Sequence, residues 1–479
     1  MSLKQKTVNG LAWSFLDNFV VQGVSFVTGI ILARLLSPHE FGLVGMVAIF
    51  MALGQSFADS GFTQALIRKK ECTQADYSTV FFFNVLVGVT WYLLLLVSAG
   101  SIADFFSQPE LASLVPVLGL GVVVNSFSII QTTQLTKRID FKLQTRVSAV
   151  SSILAGIVAV VLAFQGFGVW SLVILALAKN TLTTLFLWFW NEWTPSLVFD
   201  LASFKELFGF GSKLLFVGLI DTTYRNIYLM VIGKFFSAAD LGFYTRADQF
   251  KQLPSQNLTT VVQRVSYPVL SSIQEDLISL KAAYKKLIKS TMLISFVLMI
   301  GLAAVAEPLV VTLIGEQWLV SAEYLQLLCF GGMLYPLHAL NLNMLNVQGR
   351  SDLFLRLEII KKTLAVPVII VGINFGIKVM IMAMIVNSLI AYYLNSYWSG
   401  RFIGYSMLEQ IKDIFPSFLL ASAVGFAVWF TGFLFETAPL VTLVIQILTG
   451  AVLTISLSEL IRLDSYLYMK QTILEKIRR

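Results

Sequence analysis

Chemistry-bearing residues are scarce in this chain. It holds two cysteines and two histidines among 479 residues. Cys72 and Cys329 form no spacing motif, one lying in a loop and one in an apolar run, so there is no disulfide framework to read. His39 and His338 have no Cys or Glu at metal-ligand spacing; each reads as a lone structural histidine, and no metal site is expected. No Gly-rich loop closes in Gly-Lys-Ser/Thr, which excludes a built-in ATPase of that kind, and no Gly-x-Ser-x-Gly elbow occurs. Charged residues are only 13% of the chain, and no polar stretch is long enough to fold as a soluble domain. The chain is expected to be no enzyme and to take no cofactor.

What fills the sequence is apolar. Hydrophobic residues make up 57%, and the mean hydropathy of +0.79 exceeds what a soluble core needs. A crossing takes about 20 apolar residues. Fourteen such stretches can be drawn: 9–34, 41–60, 78–99, 112–135, 146–165, 167–190, 207–233, 241–270, 288–313, 322–346, 354–377, 379–398, 414–435 and 438–462. The first follows only Lys4 and Lys6, contains Asp17 and Asn18 and lacks a small-residue cleavage site, so no cleavable signal peptide is expected. The fold class expected is all-α integral membrane.

Loop charge supplies the orientation. Even-numbered gaps carry Arg68, Lys69 and Lys70, then Lys137, Arg138, Lys142 and Arg146, then Lys205, and onward through Lys281, Lys285, Lys286 and Lys289 to Arg350, Arg356, Arg401 and Lys412. The tail ends in Lys476, Arg478 and Arg479, whereas odd-numbered gaps are nearly bare of cations apart from Arg34, Lys234 and Lys378. The positive-inside rule then puts both termini in the cytoplasm and accounts for the net charge of +7 without nucleic acid.

One pattern occurs twice. Residues 33–42 read Ala-Arg-Leu-Leu-Ser-Pro-His-Glu-Phe-Gly, and residues 233–242 read Gly-Lys-Phe-Phe-Ser-Ala-Ala-Asp-Leu-Gly. Both copies follow a long apolar run, and six stretches separate equivalent points. The halves therefore enter the membrane in the same direction, as a parallel repeat with a pseudo-two-fold along the membrane normal. Residues 1–190 are expected to form one six-helix lobe and 207–400 the other. Residues 191–206 are expected to be an amphipathic interfacial linker, and 401–479 to add two spans and a cytoplasmic tail.

Ionisable residues inside these stretches are Asp17, Asp59, Lys179, Lys213, Asp221, Arg225, Asp248 and Lys251. Each would cost roughly 2.5–3.5 kcal/mol facing lipid at mid-depth. Eight would total about 20 kcal/mol, beyond the ~5–15 kcal/mol net stability of a domain, so those near mid-depth must face one another or water. The stretch 246–264 is the clearest case. Arg246, Gln249, Gln256, Asn257, Thr260, Gln263 and Arg264 fall within about a third of a helix circumference, and Pro254 is expected to kink it. A striped helix of this kind reads as the wall of a wet cavity, or as one packed on polar neighbours. Asp221 and Arg225 lie one turn apart, so they are either an internal ion pair or a partly free cation for an anionic ligand. Tyr224, Asn226 and Tyr228 beside them could bond sugars, and Lys179 is the matching cation from the first half. Glycines 42, 45, 54, 119 and 121 suit close helix packing.

The segments Val8–Phe15, Leu32–Gly42, Asp59–Arg68, Arg138–Lys142, Gly166–Ser171 and Leu241–Ala247 together resemble the Wzx-like polysaccharide transporters. These belong to the superfamily that also holds lipid II flippases and multidrug antiporters, and the lipopolysaccharide-biosynthesis and colanic-acid-exporter members are the most similar. The resemblance implies a flippase for an undecaprenyl-diphosphate-linked oligosaccharide in the bacterial inner membrane, working by alternating access around a cationic cavity. It implies membrane lipids and the lipid-linked oligosaccharide as partners, with the polysaccharide polymerase and chain-length machinery as further ones. Charge and position within the spans nominate Arg225, Lys179, Lys213, Arg246, Lys251 and Arg264, with Asn226, Tyr224, Gln256 and Asn257, as the substrate-binding set, and Asp221, Asp248 and Asp17 as carriers of a coupling proton or sodium ion. A multidrug antiporter, a lipid II flippase and an intramembrane sugar ligase or polymerase are the alternatives.

Overall fold

The computed structural model describes the backbone of residues 3–434 and 437–477, and side chains for Trp13, residues 20–434 and residues 437–475 apart from Ile473. Among the described residues every regular element is a helix. A chain surrounded by hydrocarbon has to satisfy its backbone within each segment, and a helix does that locally. Bulky apolar side chains stand exposed along the helices, including Val97 (85%) and Phe189 (77%), as lipid-facing positions do.

By packing, the chain divides into two compact units, Met1–Gly242 and Phe243–Arg479. The first holds α1 (Leu3–Leu35), α2 (Pro38–Asp59), α3 (Phe62–Arg68), α4 (Gln74–Phe106), α5 (Leu111–Ser126), α6 (Ile129–Arg138), α7 (Phe141–Phe164), α8 (Val169–Trp190), α9 (Leu201–Phe235) and the first turn of α10 (Ala238–Ser271). Here α1 packs on α7, α4 on α5, and α9 on α2, α3 and α4. Phe62, Leu66, Phe81, Ile130, Trp193 and Leu207 form a core at one end.

The second unit holds the rest of α10, then α11 (Leu277–Ala304), α12 (Ala306–Ile314), α13 (Leu319–Gly332), α14 (Tyr335–Val347), α15 (Ser351–Thr363), α16 (Ala365–Phe375), α17 (Ile377–Ile403), α18 (Met407–Leu434), α19 (Pro439–Leu460) and α20 (Asp464–Ile477). Its centre is α11, which packs on α18, α13, α14 and α20. Tyr284, Ile288, Met292, Phe296, Leu337, Leu340 and Tyr405 are its core.

Among the described residues the fourteen expected stretches are mainly helical, but length and apolarity qualify ten spans as crossings, or eleven with the pair α5 and α6 bent by 41°. Val20–Leu35 of α1 is a shorter apolar helix. Polar residues keep α10 out of that set, and a break near Leu364 divides α15 from α16. α10 continues unbroken through Pro254 and Pro268.

Three further features differ from the sequence reading. Helix α9, expected to open the second lobe, packs with the first unit. Residues 401–479 carry α18, which packs along α11 with Leu293, Leu420, Val424 and Val428 buried together, so this segment is integral to the second unit. Within 191–206, helix starts only at Leu201. Trp193 turns inward and donates its Nε1 proton to Gln74 Oε1 at 2.8 Å, while Leu197 is 95% exposed.

The repeated motif has a local physical meaning. In the first copy Glu40 accepts from the Ser37 N–H (2.6 Å) and Ser37 hydroxyl (2.8 Å). In the second, Asp240 accepts from the Ser237 N–H (3.2 Å) and hydroxyl (2.6 Å), and Ser237 Oγ accepts from the Asp240 N–H at 3.0 Å. Each copy is a capping box that starts a helix at the same point of the repeat. The glycine two residues later serves packing. A Cβ on Gly42 would overlap the Ala238 carbonyl, and one on Gly242 would overlap the Pro38 carbonyl. The two copies thus interlock reciprocally inside the first unit, each glycine admitting the other copy's first helical turn.

Candidate functional site

The nominated residues fall in both units. In the first, α9 is fixed to α2 by Ser56 Oγ and Thr222 Oγ1, 3.0 Å apart, and by the close approach of Gly211 to Gly61. Gly61 has φ +71° and forms the turn between α2 and α3. This seating sets the register of Asp221 and Arg225. The two form the ion pair expected of i,i+4 spacing, Arg225 Nε donating to Asp221 Oδ2 at 2.7 Å, with their side chains 73% and 42% exposed. That bond uses only Nε, one of the five N–H donors of the guanidinium. Asn226 bonds locally, donating to the Thr222 carbonyl at 2.8 Å. Tyr224 is half-buried and Lys213 exposed on the same helix. Lys179 is half-buried on α8, and its neighbour Asn180 donates to the Gly121 carbonyl of α5 at 3.4 Å. The side chain of Asp17 lies outside the described residues.

In the second unit the stripe on α10 divides. Arg246 Nη1 donates to Gln249 Oε1 at 2.6 Å. Lys251 is 5% exposed, sits 5.2 Å over the Tyr335 ring and pairs with Asp248 at 2.5 Å. Gln252 also donates to Asp248. The aliphatic stem of Lys251 packs on Gly332, where an added Cβ would stand 3.1 Å from its Cγ and Cδ. Of the six nominated cations, Lys251 is therefore bound to a carboxylate within a packed interior. Asp248 is already engaged by two donors. Gln256, Asn257 and Arg264, lower on the helix, are exposed.

The outlying loop charges are also placed. Lys234 donates to the Phe105 carbonyl and lies 4.6 Å over that ring, and Lys378 pairs with Glu323 at 2.7 Å, so both of these odd-gap cations are tied down. On the even-gap side Lys69 bridges Glu206 (2.9 Å) and Asp76 (3.0 Å). The Glu206 carboxylate, aided by Asp76, holds the Lys69 ammonium above its ordinary value. Lys281 and Lys285 meet Glu409 and Asp413 in the same way.

A match to the polysaccharide biosynthesis protein family covers residues 31–323, taking in both copies of the repeated motif together with α9 and α10. The chain belongs to this family. Among its relatives this family member is 27% identical, over 82% of each chain, to the lipopolysaccharide biosynthesis protein WzxC of Escherichia coli (strain K12). It is 26% identical to the teichuronic acid biosynthesis protein TuaB of Bacillus subtilis (strain 168), over 74% of this chain and 73% of TuaB. It is 28% identical to the succinoglycan biosynthesis transport protein ExoT of Rhizobium meliloti (strain 1021), over 70% and 68%. Its fold is that of the lipid II flippase MurJ in an inward closed conformation, with TM-score 0.74 at 15% identity over 95% of this chain and 99% of MurJ. An inward-facing MATE family transporter of the MOP superfamily matches with TM-score 0.62 at 16% identity over 80% and 94%. The family member is thus a multi-pass membrane transporter rather than an enzyme, and the Wzx-like resemblance holds.

Sequence reasoning missed the polar interior of its second unit. Ser399 donates to Asn341 Oδ1 at 2.5 Å, Gln410 Nε2 reaches the same atom at 3.3 Å, and His338 sits between Ser388 (3.0 Å) and Asn395 (3.4 Å). The signal was the run Asn341-Leu-Asn-Met-Leu-Asn-Val-Gln348, four carboxamides in eight residues of an otherwise apolar stretch.

Proposed function

We propose that this protein is a flippase that carries an undecaprenyl-diphosphate-linked oligosaccharide from the cytoplasmic to the periplasmic leaflet of the bacterial inner membrane by alternating access, with both termini cytoplasmic. The observation that carries the reading is the family match over residues 31–323, whose relatives are named for lipopolysaccharide, teichuronic acid and succinoglycan biosynthesis. The MurJ-like fold supports it by supplying an architecture already adapted to a lipid-linked sugar.

The chemistry follows from the side chains. A diphosphate is bound best by guanidinium and ammonium groups in a site of low dielectric. Arg225, Lys213 and Lys179 in the first unit are the cations assigned to it; in the second unit Lys251 acts through its pair with Asp248. Arg225 meets the anion with the donors that Asp221 leaves unused. Bound diphosphate competes with the Asp221 carboxylate for the charge of the guanidinium, and Asp221 is the carboxylate assigned to take up a proton or sodium ion. Export and ion uptake are coupled through that competition. Parting of the interlock between Gly42 and Gly242 accompanies the switch from inward to outward access.

Deleting the gene in its own host should abolish surface polysaccharide and accumulate the lipid-linked precursor on the cytoplasmic side, with recovery on re-expression. Normal surface polysaccharide in the deletion strain, with no precursor accumulating, would remove this reading.

A further inference from the structure

A cavity of about 450 Å³ opens in the second unit where α10, α14 and α15 meet, lined by Tyr267, Asn343, Asn346, Gly349 and Ser351. Its volume lies within the roughly 300–1,000 Å³ of small-molecule sites. Its floor is built stiffly. Gly349 has φ +68°, its N–H bonds the Asn346 carbonyl at 3.0 Å, and the Arg350 N–H bonds the Leu345 carbonyl at 2.9 Å. Together these close α14 with a Schellman turn that only glycine makes without strain. Asn343 is oriented by donating to Ser266 Oγ at 3.0 Å. Among the described residues, the side chains of Asn346, Ser351 and Tyr267 make no hydrogen bond. Next to Gly349, Gln348 Nε2 is buried without a partner.

The lining carries no charged side chain. The nearest one in sequence, Arg350, is held by both oxygens of Asp352 at 2.9 and 2.8 Å. Such a wall does not suit phosphate, which calls for unpaired Arg or Lys. It suits a ligand whose groups both donate and accept. Each carboxamide offers two donors and an acceptor, each hydroxyl one donor and two acceptors, and the Tyr267 ring, 46% exposed, offers an apolar face. A sugar ring has this profile on its edges and faces.

We propose that this pocket is a subsite for neutral saccharide, holding the sugars of the cargo apart from its diphosphate. The proposal rests on the flippase reading above. Arg350 belongs to an even-numbered gap, so the pocket lies at the end of the unit where loop charge puts the cytoplasm, the side on which the cargo is loaded.

The test uses the full chain in nanodiscs, carrying Cys72→Ser and Cys329→Ser to remove native thiols and Ser351→Cys as a reporter at an exposed position. The probe is the phosphate-free oligosaccharide released from the host's own surface polysaccharide. At about ten times its dissociation constant it should slow maleimide labelling about tenfold, since about one site in ten is then open. Inorganic pyrophosphate should give no protection, and Asn343→Leu with Asn346→Leu should abolish the protection given by the oligosaccharide. No slowing by the oligosaccharide, equal slowing by pyrophosphate, or protection that survives both asparagine changes would each overturn the subsite. A parallel export assay separates this failure from failure of the flippase reading. If deletion stops export and the asparagine double variant restores it as well as wild type does, the pocket falls and the flippase stands. If the double variant does not accumulate as folded protein, Ser351→Trp fills the cavity from the exposed first turn of α15. It should block export at normal protein level, and wild-type export by that variant would also overturn the subsite.

Discussion

Replacing Gly42 by alanine places a methyl group where the second copy of the motif now sits. The Cβ would overlap the Ala238 carbonyl oxygen and stand 2.5 Å from its carbon and 3.0 Å from its Cα. Non-bonded carbons rest about 3.5–4.0 Å apart, so the two first turns have to separate by roughly 1–1.5 Å. The obstacle is backbone on both sides, so no rotamer change relieves it. Gly242→Ala meets the Pro38 carbonyl carbon at 2.7 Å and its Cα at 3.1 Å, so it should act alike. Overpacking of this kind costs about 1–3 kcal/mol. Charged to the interlocked conformer alone, that shifts the equilibrium toward the parted one by about 5–150-fold. The assay is labelling of His39→Cys by a membrane-impermeant maleimide in cells lacking the native thiols, with surface polysaccharide scored alongside. Labelling should quicken in both variants and export should fall, while Gly23→Ala and Gly100→Ala, where a Cβ meets nothing, should behave as wild type. A lowered melting temperature with unchanged labelling would mean that the glycines only pack, and would refute the interlock as a moving part.

Three other outcomes are expected. Arg225→Ala should abolish export at normal protein level. Arg225→Lys should retain part of it, because the pair with Asp221 uses a single guanidinium N–H; wild-type export by Arg225→Ala would remove this residue from the binding set. Lys251→Met should destabilise the detergent-solubilised protein by about 3–5 kcal/mol through the stranded Asp248 carboxylate, and Lys251→Met with Asp248→Leu should recover most of that loss in a denaturation experiment. If the single variant is as stable as wild type, the pair is not a structural one. Asp200 caps α9 through the Ala202 and Ser203 N–H groups, and its bonds to Ser203 hold its carboxyl below the ordinary value. Its contribution is complete above the unfolded carboxylate range near about 4 and is lost as pH falls through the lower folded value. The melting-temperature gap between wild type and Asp200→Ala should therefore be full at neutral pH and narrow on acidification. A gap that widens instead would contradict the cap.

How much of this could be read beforehand depends on the range over which each interaction acts. The ion pairs on α9 and α10 were written in spacing: Asp221 and Arg225 lie four apart, Asp248 and Lys251 three apart. Treating Asp248 and Lys251 as separate candidates, one for the coupling ion and one for the substrate, passed over the simpler consequence of that spacing. The capping boxes were equally local, since Ser37 with Glu40 and Ser237 with Asp240 need only four residues each. The partner of each glycine was not local. Gly42 meets a carbonyl 196 positions away, and nothing between them records the contact. The allegiance of α9 to the first unit is of the same kind, because its seat is set by Ser56 and Gly61 rather than by its own sequence. The amides from Asn341 to Gln348 were visible but lacked a reason until α10 and α15 brought Tyr267 and Ser351 beside them.

That division explains why the repeated motif is the most informative feature of the chain. A capping box alone would specify where two helices begin, and many residue pairs could do it. The glycine two residues later adds nothing to helix initiation and would weaken it slightly relative to alanine. Its presence in both copies has one physical use in this structure, which is to let two backbones touch where any side chain would hold them apart. A contact made of backbone against backbone has little side-chain complementarity to lose when it opens. It therefore suits a junction that closes tightly and parts in the proposed transport cycle, and the same chemistry on both sides of the repeat lets one substitution on either side test it.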